Sequence, residues 1–229
     1  YTIMGDVAQN ISDRYGLNDW TELRKLMLPG EFDYFGILQK SYRNTVEISE
    51  FATDILYHGS FPVYPVEPII RHGEPVTVKK CADTEQVTQA EQIIKQWQCK
   101  GLDTIAVVCI DEAEAEKVTA ALQDSVELNT GDAGKWEIGE GVMVLPLKYT
   151  KGLEFDAVLI FNASEEDYPV EDGYVKQLYV AATRALHELT VLYRGKLTGL
   201  IADPVSPEQK KRMRLAADAQ KKPVKTVVK

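Results

Sequence analysis

The chain has 229 residues, of which 45% are hydrophobic and 27% charged, with 15 Gly and 10 Pro. This composition excludes a disordered, collagen-like or coiled-coil chain and suffices for one sizeable α/β domain, or one domain plus a fragment of another. The formal net charge is −9, but eight Lys/Arg against two acids between Ser206 and Lys229 make that end +6 and leave the preceding 205 residues at −15. So acidic a body excludes indiscriminate nucleic-acid binding, and any such contact belongs to a local groove, to the basic end or to parts of the protein outside this chain.

The longest apolar runs, Ile105–Ile110 and Ala157–Phe161, fall far short of the ~20 residues of a membrane-spanning helix, so no membrane partner is expected. Cys81, Cys99 and Cys109 form no CxxC pair, an odd and scattered set that points to reduced thiols and a cytoplasmic protein. His58, His72 and His187 have no metal-ligand spacing and read as surface or packing residues, so no metal site is expected. No signal peptide is visible, and the chain opens at Tyr1 in what reads as mid-strand, so a preceding stretch is expected to be missing.

In chain order, Tyr1–Met4 reads as the end of a buried strand, followed by the polar loop Gly5–Asn10. Leu17–Met27 is a predicted helix with Asn18 or Asp19 as N-cap and Pro29-Gly30 as its stop. Phe35–Gln39 reads as a strand, and Asn44 and Thr45 open an amphipathic helix carrying Val46, Ile48, Phe51, Ala52, Ile55 and Leu56. The Pro- and Gly-rich stretch Gly59–Pro75 is a connector. Strands follow at Val76–Lys80, Thr104–Ile110, Val126–Leu128, Gly141–Leu145, Ala157–Phe161 and Glu188–Tyr193. Helices lie at Thr84–Gln98, from Asp111 to about Leu122, at Tyr174–Leu186 and at Pro207–Ala219. Strands alternating with helices predict an α/β fold, a mostly parallel sheet between two helical layers, with ligands expected at the carboxyl ends of the strands.

Two candidate sites fail on chemistry. The strand Ile105–Ile110 ends in Asp111-Glu112, like a strand presenting carboxylates to Mg²⁺, but with Glu114 these acids sit at a helix N-terminus, where capping and the helix dipole favour them. A phosphate loop GxxxxGK[ST] is absent, because Gly134-Lys135 is followed by Trp136 and Gly195-Lys196 by Leu197. No GxGxxG follows a strand, which excludes a Rossmann-type dinucleotide enzyme.

Three segments remain: Gly5-Asp6-Val7-Ala8-Gln9-Asn10-Ile11, then Ser41-Tyr42-Arg43-Asn44-Thr45, and then Lys151-Gly152-Leu153-Glu154-Phe155-Asp156 with Tyr179-Val180-Ala181-Ala182-Thr183-Arg184-Ala185 downstream. Taken singly each has a structural account: Arg43 as a surface charge, Arg184 as a cation suiting a helix end, Gly152 as a turn. Together, in this order and spacing, they resemble motifs III, IV, V and VI of the UvrD/Rep-type superfamily 1 DNA helicases, over nearly the whole chain to about Leu200. The resemblance implies a RecA-like, P-loop NTPase-type fold. It divides the chain into residues 1–30, the end of a first RecA-like domain; 31–205, a complete second one; and 206–229, a basic C-terminal helix and tail.

It also implies roles. ATP, with Mg²⁺, would bind in the cleft with the upstream RecA-like domain of the same polypeptide, which supplies the phosphate loop and the metal-binding acids. Gln9 matches the γ-phosphate-sensing glutamine. Arg43 and Arg184 match two arginines that reach the γ-phosphate across the cleft. Glu154 matches the carboxylate that accepts from the ribose hydroxyls, and Gly152 the glycine that lets the loop approach the nucleotide. Arginine suits such a role because phosphoryl transfer spreads charge over oxygens that a planar fork can match.

The departures lie on the nucleic-acid side. Where the family has Thr-x-His before the glycine turn, this chain has Pro146-Leu147-Lys148-Tyr149-Thr150, leaving Lys148, Tyr149 and Thr150 as candidate nucleic-acid contacts. After Gln9 only the displaced Tyr15 offers a ring for stacking on bases. From Arg43 to Lys151 there is no room for the large helical insertion of processive members. This compact form looks most like the helicase D branch of Gram-positive bacteria, whose members associate with RNA polymerase. Two functions follow as expectations: a motor domain of a DNA helicase or translocase, or an RNA-polymerase-associated ATPase module with weak or absent unwinding.

Overall fold

Five parallel strands in the order β3-β7-β6-β4-β5 carry the molecule in the computed structural model, which describes residues 2–11, 20–27, 35–38, 40–64, 66–130 and 139–221. In chain order a 3-10 turn at Val7–Gln9 is followed by α1 (Trp20–Met27), β1 (Lys40–Ser41), α2 (Val46–Leu56), β2 (Glu67–Pro68) and β3 (Thr77–Lys80). Then come α3 (Gln86–Cys99), β4 (Thr104–Cys109), α4 (Glu112–Leu122), β5 (Gly141–Pro146) and a second 3-10 turn at Leu147–Tyr149. The chain closes with β6 (Phe155–Ile160), α5 (Asp172–Ala182), β7 (Ala185–Tyr193), α6 (Gly199–Ala202) and α7 (Pro207–Lys221).

The two-residue period of a strand makes the sheet double-sided. Ile105, Val107 and Cys109 of β4 join Ala157 and Leu159 in one core with Ala90, Ile94 and Trp97 of α3 and Val118 and Leu122 of α4. The alternate residues Ala106, Val108, Val158, Ile160, Leu189 and Val191 face a second core with α2, α5, α6 and Met213 of α7. The result is the expected three-layer α/β/α fold of RecA-like type. No helix among the described residues is long and apolar enough to cross a membrane.

Several expected boundaries move. Residues 2–6 form no strand, because no described segment lies alongside to complete a ladder; instead Asp6 caps the turn at Val7–Gln9, its Oδ1 accepting Ala8 N at 2.9 Å. The strand expected over Phe35–Gln39 is displaced to Lys40–Ser41, where β2 inside the presumed connector supplies a parallel partner. Val126–Leu128 makes only a single bridge, Leu128 to Val142. Tyr174–Leu186 does not stay helical to its end: α5 stops at Ala182 and β7 begins at Ala185, paired with Phe155. Pairing with β6 outweighs the helical propensity of the Ala-rich run. Tyr1, Tyr15, the caps Asn18 and Asp19, Pro29-Gly30, Gln39, Gly134-Lys135-Trp136 and the tail 222–229 lie outside the described residues.

Candidate nucleotide-contacting rim

The rim is built where β6 and β7 begin. Ahead of β6 the chain turns tightly: Thr150 Oγ1 donates to Leu147 O at 2.7 Å, Leu153 N donates to Thr150 O at 3.0 Å, and Gly152 takes the left-handed φ of +85°. A Cβ at Gly152 would meet nothing within 4 Å, so the glycine is needed for its backbone angle and not for space. Phe155 N then donates to Arg184 O at 3.0 Å, which sets Glu154 beside Arg184 although 30 positions separate them in sequence.

Arg184 is 1% exposed. Its Nε donates to Val180 O at 3.1 Å, Nη1 to Leu153 O at 3.2 Å and Nη2 to Thr183 Oγ1 at 3.2 Å. All three acceptors are neutral, and Arg184 makes no ion pair among the described residues. Burial, then the charge of Arg43, lowers its pKa, while Tyr179, Glu154 and Asp6 act in the other direction.

Arg43 reaches the same place from β1. Its Nη2 lies 2.5 Å from Glu154 Oε1, with the two side chains 37% and 41% exposed. Arg43, Glu154 and Arg184 are therefore near neighbours: Arg43 pairs with Glu154, and Arg184 feels the charge of both without an ion pair of its own, for a net charge of +1 over the three. Gln9 lies on the turn whose Val7 is buried, and its Nε2 donates to Asp6 Oδ2 at 2.8 Å, so its amide is held by its own turn.

Three neighbours carry a weaker signal in the sequence. Asn44, read only as a helix start, is buried and donates from Nδ2 to Thr183 O at 3.2 Å and Ala185 O at 2.5 Å; Thr45 is the actual cap of α2, its Oγ1 accepting Ile48 N. Arg71, in the presumed connector, donates from Nη2 to Arg43 O and to Leu186 O. Tyr42, adjoining Arg43, is 70% exposed.

The cluster lies at the amino ends of β6 and β7, not at the carboxyl ends where ligands were expected. Those carboxyl ends border a cavity of about 340 Å³ lined by Asp83, Ile110, Glu114, Asp167 and Arg194 among others. Its polar groups are engaged within the chain: Glu114 Oε2 accepts Ile110 N at 3.0 Å, while Asn162, behind the lining, bonds Asp167 and accepts Arg194 N at 2.9 Å. Burial raises the pKa of Glu114. Asp111 caps α4 through Oδ1 on Glu114 N at 2.8 Å, as the helix-terminus account requires.

The candidate nucleic-acid segment follows β5. Lys148 forms an ion pair with Glu112 and lies 4.7 Å from the centroid of the Tyr149 ring, whose Oη is 3.5 Å from Glu112 Oε1. Lys148 holds the Glu112 carboxyl below its usual pKa, and Glu112 raises that of Lys148. Thr150 is fully buried, with its hydroxyl engaged in the glycine turn.

Residues 142–192 match the family described as the UvrD-like helicase C-terminal domain. The solved C-terminal domain of a possible DNA helicase from Lactobacillus plantarum WCFS1 is similar at a TM-score of 0.59, with 29% identity, covering 74% of this chain and 96% of that one. A search of curated proteins gave no match. The matched segment holds most of β5, the glycine turn, β6, α5, Arg184 and nearly all of β7, so the likeness to UvrD-like helicase C-terminal domains rests on the half of the sheet that carries Glu154 and Arg184.

Proposed function

We propose that the chain is the second motor domain of an ATP-dependent superfamily 1 DNA helicase or translocase and completes an ATP site on a preceding RecA-like domain. In this reading residues 1–30 belong to that first domain, 31–205 form the second, and 206–229 are its basic extension. The observation that carries it is the cluster of Arg43, Glu154 and Arg184, drawn from three distant segments to one partly open rim.

On this reading Arg43, and Arg184 once its guanidinium leaves the acceptors that hold it inside the chain, stabilise charge developing on the γ-phosphate of ATP, and Glu154 accepts from the ribose hydroxyls. Gly152 lets the turn approach the nucleotide, and Gln9 senses the γ-phosphate once its amide leaves Asp6. An arginine delivered across a cleft is worth roughly 10³–10⁵ in rate, and two on one domain tie hydrolysis to cleft closure. Mg²⁺ does not fit the residues present: no group of three or more metal-donor side chains is assembled among the described residues. On this reading its ligands belong to the preceding domain.

The test is ATPase turnover of the intact polypeptide with Arg184→Ala. A loss of about 10³-fold or more is expected; near-normal turnover rejects the assignment. The isolated chain should not hydrolyse ATP, and measurable turnover by it would contradict a shared site.

A second reading has an observation of its own. Lys148 is neutralised by Glu112 and Thr150 is buried, so the segment expected to grip a strand is mostly engaged internally. With the −15 body, this favours an RNA-polymerase-associated ATPase of the helicase D type with weak or no unwinding in the cytoplasm. Association with RNA polymerase without duplex unwinding supports it; strong unwinding without association supports the motor reading.

A further inference from the structure

Asn44 and Arg71 occupy a position that the proposed chemistry does not itself require. The Asn44 side chain is 4% exposed, and its single amide nitrogen donates to the carbonyls of Thr183 and Ala185, the residues on either side of Arg184. Arg71 donates to the carbonyl of Arg43 and, at 3.2 Å, to that of Leu186. Val46 N donates to Arg71 O at 3.0 Å and Ile69 N to Ser41 O at 2.9 Å, so the segment after β2 that delivers Arg71 is itself bonded to both sides of Arg43. Two polar side chains thus join the backbone of residue 43 to that of residues 183–186 across about 140 positions of sequence.

We propose that Asn44, assisted by Arg71, is a positioning residue that locks the Arg43 segment to the Arg184 turn, so that the two guanidinium groups are presented to a nucleotide as one rigid unit. This rests on the proposed function above. The amide is chemically suited to the task. It supplies two N–H donors to two carbonyls, carries no charge that would compete with phosphate, and has both donors already engaged by the main chain. Without it, two backbone carbonyls lose a donor and the separation of the two guanidinium groups is no longer fixed from the main chain. A misplacement of about 1 Å in a phosphoryl-transfer site costs on the order of 10²-fold in rate.

The experiment is a kinetic cycle in the intact polypeptide with Asn44→Ala, Arg184→Ala and the double variant, beside Thr45→Ala as a stability control. Thr45→Ala removes the cap of the same helix and touches neither Thr183 nor Ala185. Asn44→Ala should lower kcat roughly 10–100-fold with KM for ATP changed less than about threefold. In the Arg184→Ala background it should add almost nothing, because the unit it positions is already broken. Thr45→Ala should keep kcat near normal despite a comparable loss of thermal stability. Should Asn44→Ala fail to fold, Arg71→Met breaks the same frame from the segment after β2 and should give the same pattern.

Normal kcat in a folded Asn44→Ala protein, an equal loss in the Arg184→Ala background, or an equal loss in Thr45→Ala would each overturn the positioning role. Normal turnover in Arg184→Ala would instead overturn the underlying functional reading, and the two failures are thereby distinguished.

Discussion

Replacing Arg184 by Met should separate stability from activity, because the structure buries this guanidinium without a counter-charge. An unpaired buried charge carries a desolvation penalty of several kcal/mol, offset here by hydrogen bonds to neutral acceptors. Methionine keeps the length and flexibility of the side chain and removes the charge. Of the three acceptors, Val180 O and Thr183 Oγ1 stay engaged, since the Thr183 hydroxyl bonds Val180 O at 3.1 Å and Tyr179 O at 2.9 Å. Only Leu153 O loses its donor, a cost of about 1–3 kcal/mol.

The relief of the buried charge is of the same size or larger. Arg184→Met should therefore leave the chain as stable as before or up to about 2 kcal/mol more stable, a rise in Tm of no more than about 8 °C. The assay is thermal and urea unfolding of the chain, paired with ATPase turnover of the intact polypeptide, where the same substitution should cost about 10³-fold. A destabilisation beyond about 2 kcal/mol would refute the reasoning, because it would make Arg184 a structural residue whose bonds outweigh its desolvation.

Four further outcomes are expected. Gly152→Ala should destabilise by about 1–2 kcal/mol in urea unfolding because φ is +85° with open space around it, and Gly152→Asn should cost less. Glu47, bonded to His72 at 2.8 Å and to Gly73 N at 2.9 Å, has its pKa lowered from 4.5 to about 2, so its stabilisation of that loop is complete above about pH 4.5 and is lost as pH falls towards 2. An NMR titration of the Glu47 carboxyl should find its midpoint near the lower value, and Glu47→Gln should flatten stability over that window. A thiol reagent should label exposed Cys99 quickly in the native chain, and buried Cys81 and Cys109, whose pKa values burial raises, only after unfolding. Tyr42→Ala should leave Tm nearly unchanged in thermal unfolding, because the residue is 70% exposed.

The sheet was legible because its strands are short β-branched runs and its helices carry apolar residues at helical spacing; Thr104–Ile110 and Val46–Leu56 are read within a residue or two. The rim was legible as chemistry, since an arginine, a glycine turn with a carboxylate and a second arginine are visible as residue types. What could not be read was contact. Arg184 sits in the α5–β7 turn, and not on a helix, because Ala185 pairs with Phe155, a long-range contact that local propensity cannot reveal. The engagement of Lys148 by Glu112 depends on β4 and β5 ending side by side, with Cys109 opposite Pro146. Asn44 and Arg71 bond backbone carbonyls, and a carbonyl has no sequence signature.

The edge strand β3 pairs with β7, Thr77 beside Thr190, and every residue of β3 is solvent-exposed. During synthesis β3 must therefore wait for more than a hundred further residues before any ladder is available to it. Its Lys79 and Lys80 keep that waiting segment charged, a feature that discourages premature pairing with another nascent chain. Truncation anywhere before Tyr193 should leave the sheet with a frayed margin, because β7, the latest-made of its five described strands, is the one that holds β3 in place.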